Sequence, residues 1–392
     1  MPAAPVLSSA PVLDRLAVAA GGSADRPPAP AGLLAVFGRV PDPRKPRGRR
    51  HSLAAVLTLA TCAVLAGARS FTAIGEWSAD AGQAVADLLG IVRVPDESTF
   101  RRVLAALDAD ALDTALGAWT AAVTTPPAGT RRRIAVDGKT LRGSRTGDSP
   151  GRHLLAALDH GTGVVLGQVA VDTKSNEIPA LPILLAGLDL TDVIVTADAL
   201  HTQRQTASWL VSHQAHYVLT VKTNQPTLYA QLAALPWRRV TTAARGVERG
   251  HGRLERRTVK ATEVRAGLLF PHAVQAVQVT RRRQPLAGTP ATTEVVYLVT
   301  SLPTHQASPA LLATFAREHW LVENRLHWVR DVTFGEDLSQ VRTGRAPQVM
   351  ASLRNLAIAI LRLTGVTNIA QGIRHHARRP ERPLETIKNL AC

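Results

Sequence analysis

RRRIAVDGKTLRG, residues 131–143, and DVIVTADALH, residues 192–201, share one design: a short apolar run delivers an aspartate, Asp137 or Asp198, at its C-terminal end. Short runs rich in Val and Ile and closed by turn-forming residues are expected to be buried strands. In the first, Ile134 to Val136 runs into Asp137-Gly138, read as a strand entering a turn. In the second, Asp192 to Ala197 ends on Asp198. Taken singly, an aspartate before a glycine is more often a turn former than a functional group. The pair gains weight only if the two strands lie side by side.

The sequence between and around them supplies that expectation. His153 to Leu158 and Val164 to Val171 read as two further strands joined through His160-Gly161-Thr162-Gly163, a hairpin connection. Glu177 to Leu188 has helical spacing, with Ile178, Leu181, Leu184 and Leu185 on one face. Gln203 to His213 reads as a second helix, and Tyr217 to Val221 as a fifth strand. Three strands in a meander, then strands reached by helical crossovers, imply antiparallel pairing first and parallel pairing later. This order matches an α/β ribonuclease-H-like fold, a mixed five-stranded sheet in which the first and fourth strands are neighbours.

Outward from this core (130–227, first part), 228–303 contains GHGRLERRTVKATEV, VQAVQVTRRR and EVVYLVTSL, all alternating with period two, and is expected to be a β-rich insertion. The core resumes over 304–366 with an amphipathic helix from Pro309 to Arg330, whose stripe is Leu312, Phe315, His319, Val322, Leu326 and Val329, and a further helix from Ala346 to Thr364. Residues 367–392, with IRHHARRPERP, read as a basic C-terminal tail. Upstream, 33–123 is expected to be an all-helical N-terminal DNA-binding domain: Phe100, Val103, Leu104 and Leu107, then Leu112, Leu116 and Trp119, recur at three and four, with Ser98 as a helix cap. Thr124 to Thr130, with Pro126 and Pro127, is the linker. Residues 1–32 are Ala, Pro, Gly and Ser with few large apolar groups, the composition of a disordered tail.

A net charge of +16 points to a polyanionic partner, nucleic acid before membrane. Arg44, Lys45, Arg47, Arg49 and Arg50 form an extended basic strap. Of 46 basic residues only six are lysines, so those retained mark places where a compact ammonium is wanted. Lys139, Lys174 and Lys222 all fall beside the expected strand ends. SLAAVLTLATCAVLAGA (52–68) is too short and too threonine-bearing for a comfortable membrane span and reads as a buried helix. Cys62 and Cys392 form no CxxC pair, which suits a reducing compartment. No signal peptide is read at the N-terminus, and a cytoplasmic, nucleoid-associated location is expected.

Two carboxylates side by side repel unless they share a cation. All-oxygen ligands suit Mg²⁺, with Mn²⁺ the alternative, and such ions can drive displacement at a phosphodiester. A third carboxylate is expected from REHWLVENRLHWVRDVTFGED (317–337). There His319, Glu323, His327 and Arg330 recur at four, four and three along one polar edge. The bland alternative is a salt-bridged surface face. Zinc also suits such spacing, but the HExxH arrangement is absent. Glu177, in the KSNE turn, is the rival carboxylate. Lys139, Arg142, Lys174, Lys222, His319 and Arg330 are the candidate DNA contacts.

DGKTLRGS (137–144), DTKSNEIPA (172–180), TADALHTQ (196–203), VKTNQPTL (221–228), HGRLERR (251–257) and HWLVENRLHWVRDVTFGED (319–337) together resemble the motifs of the H-repeat-associated insertion-sequence transposases, DDE transposases with a ribonuclease-H-like core. DPRKPRGRRHSLAAVL and STFRRVL resemble them too, so the resemblance runs from about Val40 to about Thr364. It implies Asp137, Asp198 and Glu323 as catalytic, metal-holding triad, and a β insertion before the Glu helix. It further implies metal-dependent strand cleavage and transfer on double-stranded DNA, at terminal inverted repeats and target, by a homodimer with no membrane role. Related transposases carry Tyr, Arg and Lys at minus seven, minus four and plus seven from the Glu. Here those places hold Ala316, His319 and Arg330. A catalytically idle DNA-binding descendant and a nuclease without strand transfer are the alternatives.

Overall fold

The computed structural model describes residues 32–390 apart from 148, 173–175, 251, 265–267 and 287–289. The expected N-terminal tail thus falls almost wholly outside the described residues, as do Lys174 and Cys392.

The chain is mixed α/β, a large sheet preceded by helices. Five helices come first: α1 (Leu33–Gly38), α2 (Leu53–Leu65), α3 (Phe71–Asp87), α4 (Glu97–Ala106) and α5 (Ala109–Val123). Of α2's thirteen residues only Ala54 is not buried, which explains why it is apolar on every face. Its threonines are satisfied locally, Thr58 and Thr61 donating to Ala54 O and Leu57 O, each at 2.8 Å. Among the described residues no helix is long and apolar enough to cross a membrane. The cap of α4 lies two residues earlier than expected: Asp96, not Ser98, accepts from Thr99 N at 2.8 Å, and Ser98 Oγ donates to Asp96 instead.

The sheet follows, with β1 (Arg133–Leu141), β2 (Arg152–Asp159), β3 (Val165–Val171), α6 (Ala180–Leu185), β4 (Ile194–Ala197), α7 (Arg204–Ser212), β5 (His216–Val221), α8 (Pro226–Ala233), β6 (Ala244–Gly250), β7 (Arg253–Glu263), β8 (Gln275–Pro285) and β9 (Thr292–Thr300). Its order is β3-β2-β1-β4-β5-β9-β8-β7-β6. β1, β2 and β3 pair antiparallel, while β4 runs parallel to β1 and β5 parallel to β4. The expectation of a five-stranded sheet is therefore corrected. The insertion does not form a layer of its own: β9 pairs antiparallel with β5, Val218 opposite Thr300, and continues one sheet to nine strands.

The 2–3 connection is tight because Asp159 Oδ1 accepts from Gly161 N at 2.6 Å and Thr162 N at 3.2 Å, and Gly163 takes φ +69°. Alternation then sorts the two faces. Ile134, Val136, Leu155 and Ala157 pack with Leu181, Leu184 and Leu210 of α6 and α7. Ala135, Ala156 and Leu158 face the opposite side, where the N-terminal helices meet α10 (Ala346–Leu363) and the helical segment that follows α9 (Pro309–Glu318).

The late helix is not one regular α-helix. After α9 it turns at His319-Trp320, and residues 323–327 and 329–333 form π-helical turns. Nor are residues 367–390 a polar tail. Asn368 caps α11 (Ile369–Ala377), accepting from Gln371 N at 3.0 Å, and α12 (Glu381–Asn389) follows. Ile369, Leu384 and Ile387 are buried in the same core as α2.

Candidate active site

Register decides where the aspartates meet. β1 pairs with β4 only from Arg133 to Val136, and Val136 stands opposite Ala197, the last residue of β4. The next residues along these parallel strands are Asp137 and Asp198. Contrary to expectation, Asp137-Gly138 is not a turn: β1 continues to Leu141, still paired with β2, but past the end of β4. Asp137 thus lies beside the opening where β4 stops. Period two puts it on the face of Ala135, the side covered by the late helical segment. Asp198 shares a side with Thr196 for the same reason. It caps the short turn Ala199–His201, accepting from Leu200 N at 2.9 Å.

From that helical segment Glu323 and His327 reach down. His327 Nδ1 lies 3.2 Å from Glu323 Oε2 and 3.6 Å from Asp137 Oδ2. The π-helical turn sets these two side chains one above the other; such widened turns are frequent at functional sites. Ligand atoms of Asp137, Glu323 and His327 all lie within 4.8 Å of one another. Asp137, Asp198, Glu323, Lys222 and His319 line a single cleft of about 500 Å³. Burial pushes the Asp137 carboxyl up to about 6, against the pull of His327, and the charges of Asp198 and Glu177 push the same way. The hydrogen bond from His327 holds Glu323 below the usual carboxylate range. Clustered carboxylates with one imidazole, in a half-enclosed cleft, fit a divalent cation.

Glu177, the rival carboxylate, is engaged elsewhere. Its Oε1 takes a hydrogen bond from His153 Nε2 at 2.7 Å and its Oε2 one from His201 Nε2 at 2.9 Å. Burial opposes its ionisation, but these two bonds outweigh it and bring the carboxyl down to about 2. His153 stands on β2, and His201 in the turn that begins at Asp198. Glu177 therefore ties β2, the strand paired with β1 alongside Asp137, to the turn that carries Asp198. This explains Gly138: a Cβ there would lie 2.2 Å from Glu177 Oε1 and 2.7 Å from His153 Nε2.

The candidate DNA contacts divide. Lys222 is exposed in the cleft, and Arg142 is 80% exposed, 3.8 Å from Asp337. His319 lines the cleft, its Nδ1 3.1 Å from Thr196 Oγ1, and burial depresses it to about 4, so it is a neutral imidazole at pH 7. Lys139 is largely buried in an ion pair with Asp331 at 2.6 Å. Arg330 is corrected outright. It is 1% exposed and donates to Glu336 Oε2 at 2.8 Å, while Arg354 donates to Oε1 at 2.8 Å. It is a core cation neutralising a buried anion and reaches no phosphate. His327 was visible in the sequence only as one residue of a polar helix edge; its spacing of four from Glu323 was the signal that it belongs to the cluster.

The sequence profile of the family described as "Transposase DDE domain" matches residues 128–360, and that of the DDE_Tnp_1-associated family matches residues 34–120. The chain belongs to the DDE transposase family. Among curated relatives, "Putative transposase YncI" of Escherichia coli O157:H7 is 30% identical over 344 residues, covering 84% of this chain and 87% of that protein. "H repeat-associated putative transposase YhhI" of Escherichia coli strain K12 is 28% identical over 345 residues, covering 82% and 88%. The solved synaptic complex of piggyBac transposase with hairpin DNA superposes at a TM-score of 0.41 and 12% identity over 91% of this chain and 78% of that one, too slight a likeness to bear on function. This transposase, of the H-repeat-associated group, is an enzyme acting on DNA.

Proposed function

We propose that the transposase cleaves DNA strands and joins them to a target at the Asp137–Asp198–Glu323 cleft, using a divalent cation. One observation carries the reading: carboxylates from β1, the end of β4 and the late helix converge on a single cleft, two of them beside a buried imidazole. The strand order β3-β2-β1-β4-β5, antiparallel then parallel, supports a ribonuclease-H-like core for this chemistry.

Asp137, Asp198 and Glu323 would hold Mg²⁺ or Mn²⁺, with His327 steering Glu323 toward Asp137. Bound there, the cation supplies charge stabilisation at the phosphodiester and activates water or a 3′-hydroxyl. The chain's own part is positioning. Glu177 helps hold the two aspartates in place by tying β2 to the Asp198 turn, Lys222 meets phosphate at the cleft, and the His319–Thr196–His160 chain braces β4 beneath Asp198. Arg142 and Lys174 are further phosphate contacts. The basic strap at 44–50 and the N-terminal helices would bind the element's terminal inverted repeats, with two protomers in the DNA complex and a nucleoid-associated location.

The test is a product analysis. Protein, Mg²⁺ and duplex DNA bearing the element's ends are incubated, and the products are resolved by size. Joined products support transposition at this site. Nicks alone reduce the reading to a nuclease, and binding without cutting to an idle descendant.

A further inference from the structure

The insertion strands β6, β7 and β8 carry two faces of different electrostatic character. On β7 and β8 the inner face holds Glu255, Arg257, Val259, Val279, Arg281 and Arg283, and α9 packs against it through Leu312 and Phe315. The acids near this end of the strands lie on this side and are matched: Glu255 with Arg257 and Arg283, Glu294 with Arg283, and Glu248 with Arg317, while Glu263 at the far end of β7 accepts from Thr304.

The outer face is the reverse. Arg256 stands directly opposite Arg282 on β8 and opposite Val247 on β6, so Arg245 and Arg249 are its diagonal neighbours. All four arginines are exposed, and among the described residues none has an acidic partner. Like charges directly opposite in a sheet destabilise it. Arg256 faces such a repulsion across the ladder, with no acidic group among the described residues to relieve it. The base of this face is covered, where Trp237 stacks on Tyr297 and Lys260 donates to Trp237 O at 2.6 Å, but the arginine half lies open. Between the arginines lie Thr258, Thr280 and Gln284, which can donate to phosphate, and one exposed apolar residue, Val247. That is poor in the bulky apolar groups a membrane surface takes. From Arg245 to Arg249 and across to β8 the patch measures roughly 13 by 10 Å, comparable to the roughly 12 Å width of the major groove of B-DNA. Arg245 also borders the catalytic cleft.

We infer that this outer face is a second duplex-DNA surface, on which Arg245, Arg249, Arg256 and Arg282 hold the phosphate backbone of DNA extending past the cleft. It rests on DNA being this enzyme's partner and not on the cleavage chemistry.

The full-length triple variant R249Q/R256Q/R282Q and the parent are compared by fluorescence anisotropy on a labelled 40-base-pair duplex, in EDTA, over a range of KCl. Each lost phosphate contact lowers the slope of log affinity against log salt by about 0.9, so the slope should shallow by about 2.7. The affinity lost between about 50 and about 200 mM salt should shrink roughly 40-fold, with a melting temperature equal to or above the parent's. The single variant R256Q, a milder change, should shallow the slope by about one unit. An unchanged slope and affinity in a folded variant overturns the inference. So does lost binding to phosphatidylserine vesicles with unaltered DNA binding. Because EDTA stops metal chemistry, the outcome is independent of whether Asp137, Asp198 and Glu323 cut DNA.

Discussion

Gly138 is a sensitive position in the site although it carries no side chain. Gly138→Ala would drive a methyl into the Glu177 carboxylate and His153, disturbing the tie between β2, which pairs with the Asp137 strand, and the Asp198 turn. Expected are a melting temperature lower by several degrees and at least a tenfold loss of Mg²⁺-dependent cleavage, with weakened Mn²⁺ binding by electron paramagnetic resonance. If metal affinity and cleavage are both retained, Glu177 does not position the aspartates. Legibility at this scale follows how local the signal is. Asp137 and Asp198 could be read because a strand end is a local feature and strand order made them neighbours. Arg330 was misread because helical spacing places a cation on an edge but does not say which anion waits there. Its partner Glu336 arrives from the following turn and pulls the guanidinium inside. Glu177 looked catalytic because its two histidine partners come from distant segments.

Among the elements, α11 and α12 overturn a reading by composition. IRHHARRPERP is basic, but Ile369, Leu384 and Ile387 are spaced to face one side, and that side closes over α2. A chain truncated after Thr367 loses these contacts. At about 1.5–3 kcal/mol for each fully buried aliphatic side chain, the loss is a large share of a typical domain's stability. Thermal unfolding should show a clearly lower midpoint; an unchanged one would mean that the two helices are dispensable. The insertion's strands were legible from period-two alternation. Their fusion to the core sheet was not, because the β5–β9 pairing joins segments about eighty residues apart, and local pattern carries no trace of it. The π-helical turns were equally hidden, since spacings of three and four describe an α-helix and a widened turn alike.

Across the whole molecule, one buried carboxyl links the N-terminal helices to the rest. Asp113 of α5 accepts from Gln348 Nε2 at 2.9 Å and Ser352 Oγ at 2.5 Å, both on α10, and from Gln168 of β3. Burial pushes it up to about 7 from an ordinary value of 3.8, although all three bonds favour its ionised form. A carboxyl raised in the folded state lends stability that is full below its unfolded value and is lost as pH rises through its folded one. Between about pH 4 and pH 7 the parent should therefore lose stability relative to Asp113→Asn, measured as the difference in melting temperature. A difference that stays flat with pH would show that Asp113 is ionised when folded.

The account stands most directly on the three carboxylates. Strand cleavage of duplex DNA bearing the element's end is measured in Mg²⁺ for the parent and for Asp137→Asn, Asp198→Asn and Glu323→Gln, with DNA binding followed in EDTA. Each variant should bind as the parent does and cleave roughly a hundred- to a thousandfold more slowly, as loss of a group stabilising transition-state charge implies. Undiminished cleavage by Asp137→Asn would contradict the assignment.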